Sequence, residues 1–229
     1  MALPAAPRLY PADAAPGPPR SRREGPGGLQ KGGLQEAVDR VVREHPGAEV
    51  QVWAEDEARF GLIPSYRRTW ALKGWRPRAS SRRRYEWGYL FGFVRPQTGE
   101  TYNIVGTSVS AAAMTAVLRQ FARDVGAGPR KRVVVVIDGA GWHKAKELEV
   151  PDGVHLVFLP PYSPELQPAE RLWPLINEVV ANRTFTTLAE LIETVAQRCV
   201  YLEENPDLVR NLTRYHWWPE DIRGNGCES

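Results

Sequence analysis

Three acids in this 229-residue chain stand where carboxylates are uncommon. Asp56 continues the parity of Val50, Val52 and Ala54, so in a strand it shares their apolar face. An acid on such a face needs a partner or a cation. Asp138 ends the run VVVVID and is followed by Gly139-Ala140-Gly141. Ligands of open α/β sheets bind beyond the carboxyl ends of buried strands, although an Asp there equally serves as the cap of a following helix. Glu170 lies in the stretch LPPYSPELQPAERLW, 159–173. Pro160 and Pro161 stop the preceding strand and Pro168 suits the first position of a helix. Glu170 thus falls in a first helical turn behind a stiff loop, a place the helix dipole alone favours for an acid. Eighty-one residues lie between Asp56 and Asp138, and thirty-one between Asp138 and Glu170. Only tertiary folding can bring the three together.

The elements that must position them are legible from periodicity. Leu34, Val38, Val41 and Val42 recur at helical spacing and predict a helix over 34–44, ended by His45-Pro46-Gly47. Alternation of Val50, Val52 and Ala54 with Glu49, Gln51 and Glu55 predicts a strand over 49–56, with Glu55 and Glu57 on the face opposite Asp56. WGYLFGFV (87–94) and TYNIVGT (101–107) read as strands joined by the loop PQTGE. A helix follows over 111–125, capped by Ser108 or Ser110, with Met114, Val117, Leu118 and Phe121 as its apolar stripe. The β-branched run 133–138 reads as a strand covered on both faces, 155–159 as the next strand, and 168–182 and 187–201 as helices. Strands followed by β-α-β units predict an α/β fold, a mixed sheet flanked by helices on both faces.

Residues 67–84 carry eight basic side chains and no acid: Arg67, Arg68, Lys73, Arg76, Arg78, Arg82, Arg83 and Arg84, interleaved with Trp70 and Trp75. A charge run is usually a solvated loop. Placed soon after Asp56, this one also suits a polyanion held by phosphate contacts rather than by base readout. His143, five residues after Asp138, is either an exposed residue near a helix start or an auxiliary group that orients water, a carboxylate or a phosphate.

Three stretches carry a family resemblance: WAEDEARF (53–60), RRTW…KGWRP (67–77) and LPPYSPELQPAERLW (159–173). In this order and spacing they closely resemble the catalytic domain of the DDE transposases, in the bacterial insertion-sequence branch of the mariner superfamily. The resemblance covers about residues 50–199 and implies an RNase H-like fold. It makes Asp56, Asp138 and Glu170 the catalytic metal ligands and His143 an auxiliary residue. Family members usually carry Asp-Asn at the second motif, whereas here Gly139 stands in place of the Asn. Three carboxylates in one cleft repel unless a cation neutralises them, and oxygen-only donors select Mg²⁺ or Mn²⁺. Two such ions would serve phosphoryl transfer, with Asp56 shared by both and Asp138 and Glu170 each holding one. The implied activity is cleavage of double-stranded DNA at transposon ends followed by strand transfer into target DNA, with Arg67–Arg84 on the DNA and a homodimer joining the two ends. A metal-dependent endonuclease of the same fold and a catalytically inactive DNA-binding remnant remain alternatives at this point.

The rest of the chain sets boundaries. Residues 1–32, rich in Pro, Gly, Ala and Arg, read as a disordered tail. Residues 33–48 read as a short helix and linker, 49–203 as the catalytic domain, and 204–229, with Trp217-Trp218-Pro219, as a C-terminal tail. Family members normally carry N-terminal helix-turn-helix domains, so a separate helix-turn-helix polypeptide is an expected partner. No apolar run approaches the ~20 residues of a membrane helix. Cys199 and Cys227 form no CxxC pair, and the expected location is the bacterial cytoplasm, at the nucleoid.

Overall fold

In the computed structural model, residues 9–11, 33–75, 84–161 and 163–224 are described. Strands β1 (Leu9–Pro11), β2 (Glu49–Gly61), β3 (Trp70–Leu72), β4 (Trp87–Arg95), β5 (Glu100–Gly106), β6 (Lys131–Ile137) and β7 (Val154–Phe158) alternate with helices α1 (Leu34–Glu44), α2 (Ala111–Val125), α3 (Leu172–Asn177), α4 (Leu188–Glu203) and α5 (Pro206–Thr213). The main sheet has the order β5-β4-β2-β6-β7. The β5–β4–β2 side is an antiparallel meander and the β2–β6–β7 side is parallel. This is the mixed, helix-flanked α/β sheet expected of an RNase H-like fold.

Strand β2 changes partner along its length. Glu49–Ala54 pairs in parallel with Lys131–Val136 of β6, and Ala54–Gly61 pairs antiparallel with β4. The sheet's two halves meet at Ala54, opposite both Val136 and Val94. The first part of β2 has no β4 residue on its other edge. The C-terminal segment fills that place: Val50 and Ile222 exchange backbone hydrogen bonds of 2.8 and 2.9 Å, and the Asp221 carboxylate accepts from Val52 N–H at 2.9 Å.

Two cores follow from the two faces. One face packs α1, α3, α4 and α5 through Leu34, Val38, Leu172, Ile176, Val195 and Val209 against Val50, Val52 and Ala54. The other packs α2 through Met114, Leu118 and Phe121 against Trp53, Phe93 and Val135. The Ser110 hydroxyl caps α2 by accepting from Ala113 N–H at 3.2 Å, and Gly126 ends it in the left-handed region at φ 74.

Several expectations are corrected. Strand β2 runs five residues beyond Asp56, to Gly61, because β4 pairs along that extension. On the side opposite Val50 and Val52, Gln51 and Glu55 are buried: α2 packs on that face at Trp53, which donates to Gln51 Oε1, and His143 Nε2 lies 3.9 Å from Glu55. The helix expected over 168–182 is a 3₁₀ turn, Pro168–Arg171, followed by the short α3. Pro174 lacks the N–H that would bond back to residue 170, so the α-helical ladder starts afresh at Leu172. After Asn177 the chain closes with turns and leaves through Asn182 at φ 60, a conformation Asn tolerates better than most residues. Leu9–Pro11, inside the segment expected to be a disordered tail, pairs antiparallel with Trp70–Leu72. The segment after 203 forms α5 and buries Trp218 in the larger core.

Candidate active site

The register of the parallel pair places the first two acids side by side. Ala54 faces Val136, so Asp56 and Asp138, each two residues further on, are level with one another where β6 ends. Pairing of Ile137 with Phe158 likewise brings Leu159 and the following prolines beside Asp138. That proline-rich connection turns back over the sheet end and delivers Glu170 from its 3₁₀ turn. Asp56, Asp138 and Glu170 line one cavity of about 450 Å³, together with Gly139, Lys144 and Gln167. Gln167 anchors the loop by donating from Nε2 to the backbone oxygen of Glu55 at 2.8 Å.

The electrostatics are those of crowded acids. Burial pushes the Asp56 carboxyl up from 3.8 to about 7, and the charges of Glu170 and Glu57 add to that. A hydrogen bond from Trp173 Nε1 to Asp56 Oδ2, 2.6 Å long, works the other way. Glu170 is raised by burial and then by the charge of Asp138.

On the opposite face of β2, Glu55 and Glu57 surround His143. His143 Nδ1 lies 2.8 Å from Asp138 Oδ1, and its Nε2 lies 3.0 Å from Glu57 Oε1, which also accepts from Trp142 Nε1 at 2.9 Å. His143 is buried. Burial alone would lower its pKa, but the bonds and charges of Glu57 and Asp138 outweigh that and raise it. Glu55 is fully buried with neither carboxylate oxygen hydrogen-bonded, and burial, then the charge of Glu57, pushes it well above the usual carboxylate range. Ligand atoms of Glu55, Glu57 and His143 lie within 4.8 Å of one another. Glu57 Oε1 is already engaged by Trp142 and His143, so this cluster reads as a support that ties Asp138 to β2 through His143.

Two contacts of the site, those of Glu57 with His143 and of Trp173 with Asp56, are not evident from the sequence. The parity of β2 does place Glu57 opposite Asp56, but its contact with His143 depends on how the loop after β6 folds back. Trp173 reaches Asp56 because Gly92, the β4 partner of Asp56, has no side chain. A Cβ on Gly92 would stand 2.7 Å from Trp173 Cη2. Gly92→Ala should therefore displace the indole from Asp56 and cost about 1–3 kcal/mol by overpacking, measured by denaturant unfolding. An unchanged midpoint would show that the indole yields freely.

Four of the eight basic residues, Arg67, Arg68, Lys73 and Arg84, are described, and all are exposed. Arg76, Arg78, Arg82 and Arg83 lie outside the described residues. Asn182 clamps the start of the segment, accepting from Arg67 N–H and donating to Arg67 O, both at 3.0 Å. Arg84 donates to Thr186 O at 2.8 Å and pairs with Glu86 at 2.6 Å. Trp70, Trp75 and Tyr85 of the same stretch are exposed.

Among known proteins, an uncharacterized protein of Sinorhizobium fredii, y4pE/y4sA, is 32% identical over 132 residues, covering 57% of this chain and 96% of that one. The insertion element IS630 39 kDa protein of Shigella sonnei is 26% identical over 167 residues, 71% of this chain, which spans only 47% of that relative's length. In fold, the chain is similar to the Mos1 transposase in its paired-end complex with the left transposon end. The TM-score is 0.51 at 14% identity, over 87% of this chain and 66% of that one. The family model for the DDE superfamily endonucleases matches residues 51–192, from the strand that carries Asp56 to beyond the loop that carries Glu170, and the chain belongs to that family.

Proposed function

We propose that this chain is the catalytic domain of an insertion-sequence transposase, which cleaves DNA at the element's ends and joins them to target DNA. The observation that carries this reading is the meeting of Asp56, Asp138 and Glu170 around one cavity in a member of the DDE superfamily endonucleases. The likeness to the insertion element IS630 protein supports the insertion-sequence part of the reading. The donor set fits a hard divalent cation. It is oxygen only, and burial, together with the charge its acids place on one another, raises Asp56 and Glu170 toward the protonated form. Asp56, Asp138 and Glu170 would hold Mg²⁺ or Mn²⁺, two ions in all. Such ions supply Lewis-acid assistance to in-line phosphoryl transfer when bound. The chain's own residues do the positioning. Trp173 holds one Asp56 oxygen, His143 holds one Asp138 oxygen, and Gln167 fixes the loop that presents Glu170.

A strand-transfer assay with a pre-cleaved transposon end tests this function. Joined product supports a transposase. Cleavage without joining would mark a nuclease of the same fold. The reading further includes a homodimer on paired ends, a helix-turn-helix polypeptide that supplies end recognition, and a place of action on the DNA of the bacterial cytoplasm. Among the described residues no helix is long and apolar enough to cross a membrane.

The basic segment is assigned to phosphate contacts. Arg67 and Arg68 are exposed on a stretch that Asn182 holds in place. Replacing both with Ala should flatten the slope of log K against log[salt] by about 1.8, at ~0.9 per phosphate contact on duplex DNA. All DNA sequences should weaken alike, because such contacts carry no base information. A salt titration with specific and random duplexes checks this. An unchanged slope would place the DNA path elsewhere.

A further inference from the structure

We propose that Lys144 is a substrate-binding residue of this site. Its ammonium holds a non-bridging oxygen of the phosphate under attack, in space kept open by the absence of a side chain at Gly139. The inference rests on the reading that the cavity cleaves DNA.

Among the described residues, Lys144 is the one basic side chain that lines the cavity with Asp56, Asp138 and Glu170. A phosphodiester entering this cavity meets three acids, and Lys144 is the lining residue that offers it an opposite charge. Lysine binds phosphate as a point charge on a flexible stem, which suits a group that must follow a moving phosphoryl oxygen. Its resting position is informative. Lys144 Nζ lies over the Phe158 ring, 5.7 Å from the centroid. Among the described residues it forms no ion pair within 4.0 Å with any of the three acids. An ammonium that merely neutralised the acids would sit on one of them. This one stands off, leaving room for an anion.

Gly139 explains how it can. A Cβ built on Gly139 would lie 2.8 Å from Lys144 Nζ and 3.4 Å from its Cε. Among the described residues, its chain neighbours aside, it would meet no other atom within 4 Å. Gly139 is not among the glycines with positive φ, so its backbone conformation does not call for glycine. What a side chain at 139 would displace is the lysine head. The lysine head occupies the place that a side chain at 139 would take.

The test is a double-mutant cycle on the full chain, using a duplex end substrate and Mg²⁺. Lys144→Ala should slow single-turnover cleavage about 100-fold, the scale of losing one preorganised charge-stabilising donor, and Lys144→Arg should recover most of it. Gly139→Ala should fold normally, because the Cβ meets only the end of a flexible side chain. It should nonetheless slow cleavage about tenfold or more by displacing the ammonium. The double variant should be no slower than Lys144→Ala alone, because Gly139 acts only through Lys144. Salt titration of binding without divalent ion gives a second readout. Lys144→Ala should flatten the slope by about 0.9, and Gly139→Ala should flatten it as well. Wild-type cleavage and an unchanged slope in Lys144→Ala would overturn the proposal, as would losses that simply add in the double variant. A wild-type chain that does not cleave would sink the reading of the site instead, while the salt slopes would still decide whether Lys144 meets phosphate.

Discussion

Glu170→Gln is expected to abolish divalent-ion-dependent strand cleavage, by at least about 10³-fold, while raising the thermal midpoint of the metal-free protein. Both effects come from the same charge. On the proposed reading Glu170 completes the oxygen donor set, and a neutral amide of the same shape cannot replace a carboxylate as a hard-ion ligand. A group that acts mainly in the transition state shows its loss in the rate of the chemical step. Without a cation, the Glu170 charge is unwelcome, since burial and then the charge of Asp138 raise its pKa. A folded state that prefers the protonated acid loses stability as the acid ionises. Gln removes that loss. Gel-resolved cleavage and a thermal melt in chelator read the two arms. Full cleavage by the variant would reduce Glu170 to an acid favoured by the start of a helical turn.

The second large effect is a pH dependence that the cation should erase. Asp56 has an ordinary value of 3.8 and stands at about 7 in the fold, chiefly through burial. The folded pKa is raised, so the contribution of Asp56 is fully present below pH 3.8 and is lost as pH rises through about 7. The difference, 7 − 3.8 or about 3 pH units, corresponds to on the order of 4 kcal/mol at 1.36 kcal/mol per unit. Metal-free protein should therefore lose stability between pH 4 and pH 8. Millimolar Mg²⁺ or Mn²⁺ should restore it at the upper end, because proton and cation compete for the same carboxylates. Asp56→Asn should flatten the pH profile and blunt the response to cation. Urea titrations at four pH values, with and without cation, measure all of this. A wild-type stability that rises from pH 5 to pH 8 without cation would contradict the assignment of Asp56.

Much of this arrangement is legible in the chain because it rests on strand parity and on chain stiffness. Parity puts Asp56 on the face of Val50 and Ala54 and Glu57 on the other. The β-branched run 133–137 can only be a covered strand, and Pro160, Pro161 and Pro168 fix a loop after β7. What is not legible depends on contacts between elements. Gln51 sits in an alternating pattern that suggests solvent, and only the packing of α2 over Trp53 shows that its side is covered. Pro174 marks a helix break, but the pull of the apolar positions Leu172, Leu175, Ile176 and Val179 hides it. The reach of Trp173 to Asp56 requires both the missing side chain at Gly92 and the way α3 lies across β4. Lys144 looks like any exposed basic residue until the loop after β6 places it beside Gly139.

The change of partner along β2 has a consequence for how the protein comes to be folded. The pairing of β2 with β4, and of β4 with β5, closes loops of a few tens of residues at most, whereas pairing of β2 with β6 must close one of about eighty. Loop-closure entropy is met before distant contacts repay it, so local pairings lead and distant ones lag. The meander can form as soon as Gly106 is available. Asp138 and Glu170 wait for the parallel half, and Ile222 closes the remaining edge of β2 later still. The order matters on the ribosome. A partly synthesised chain holds Asp56 without its fellow acids and with one edge of β2 unpaired. The fold therefore assembles the complete acid triad only after the residues through Glu170 have been made.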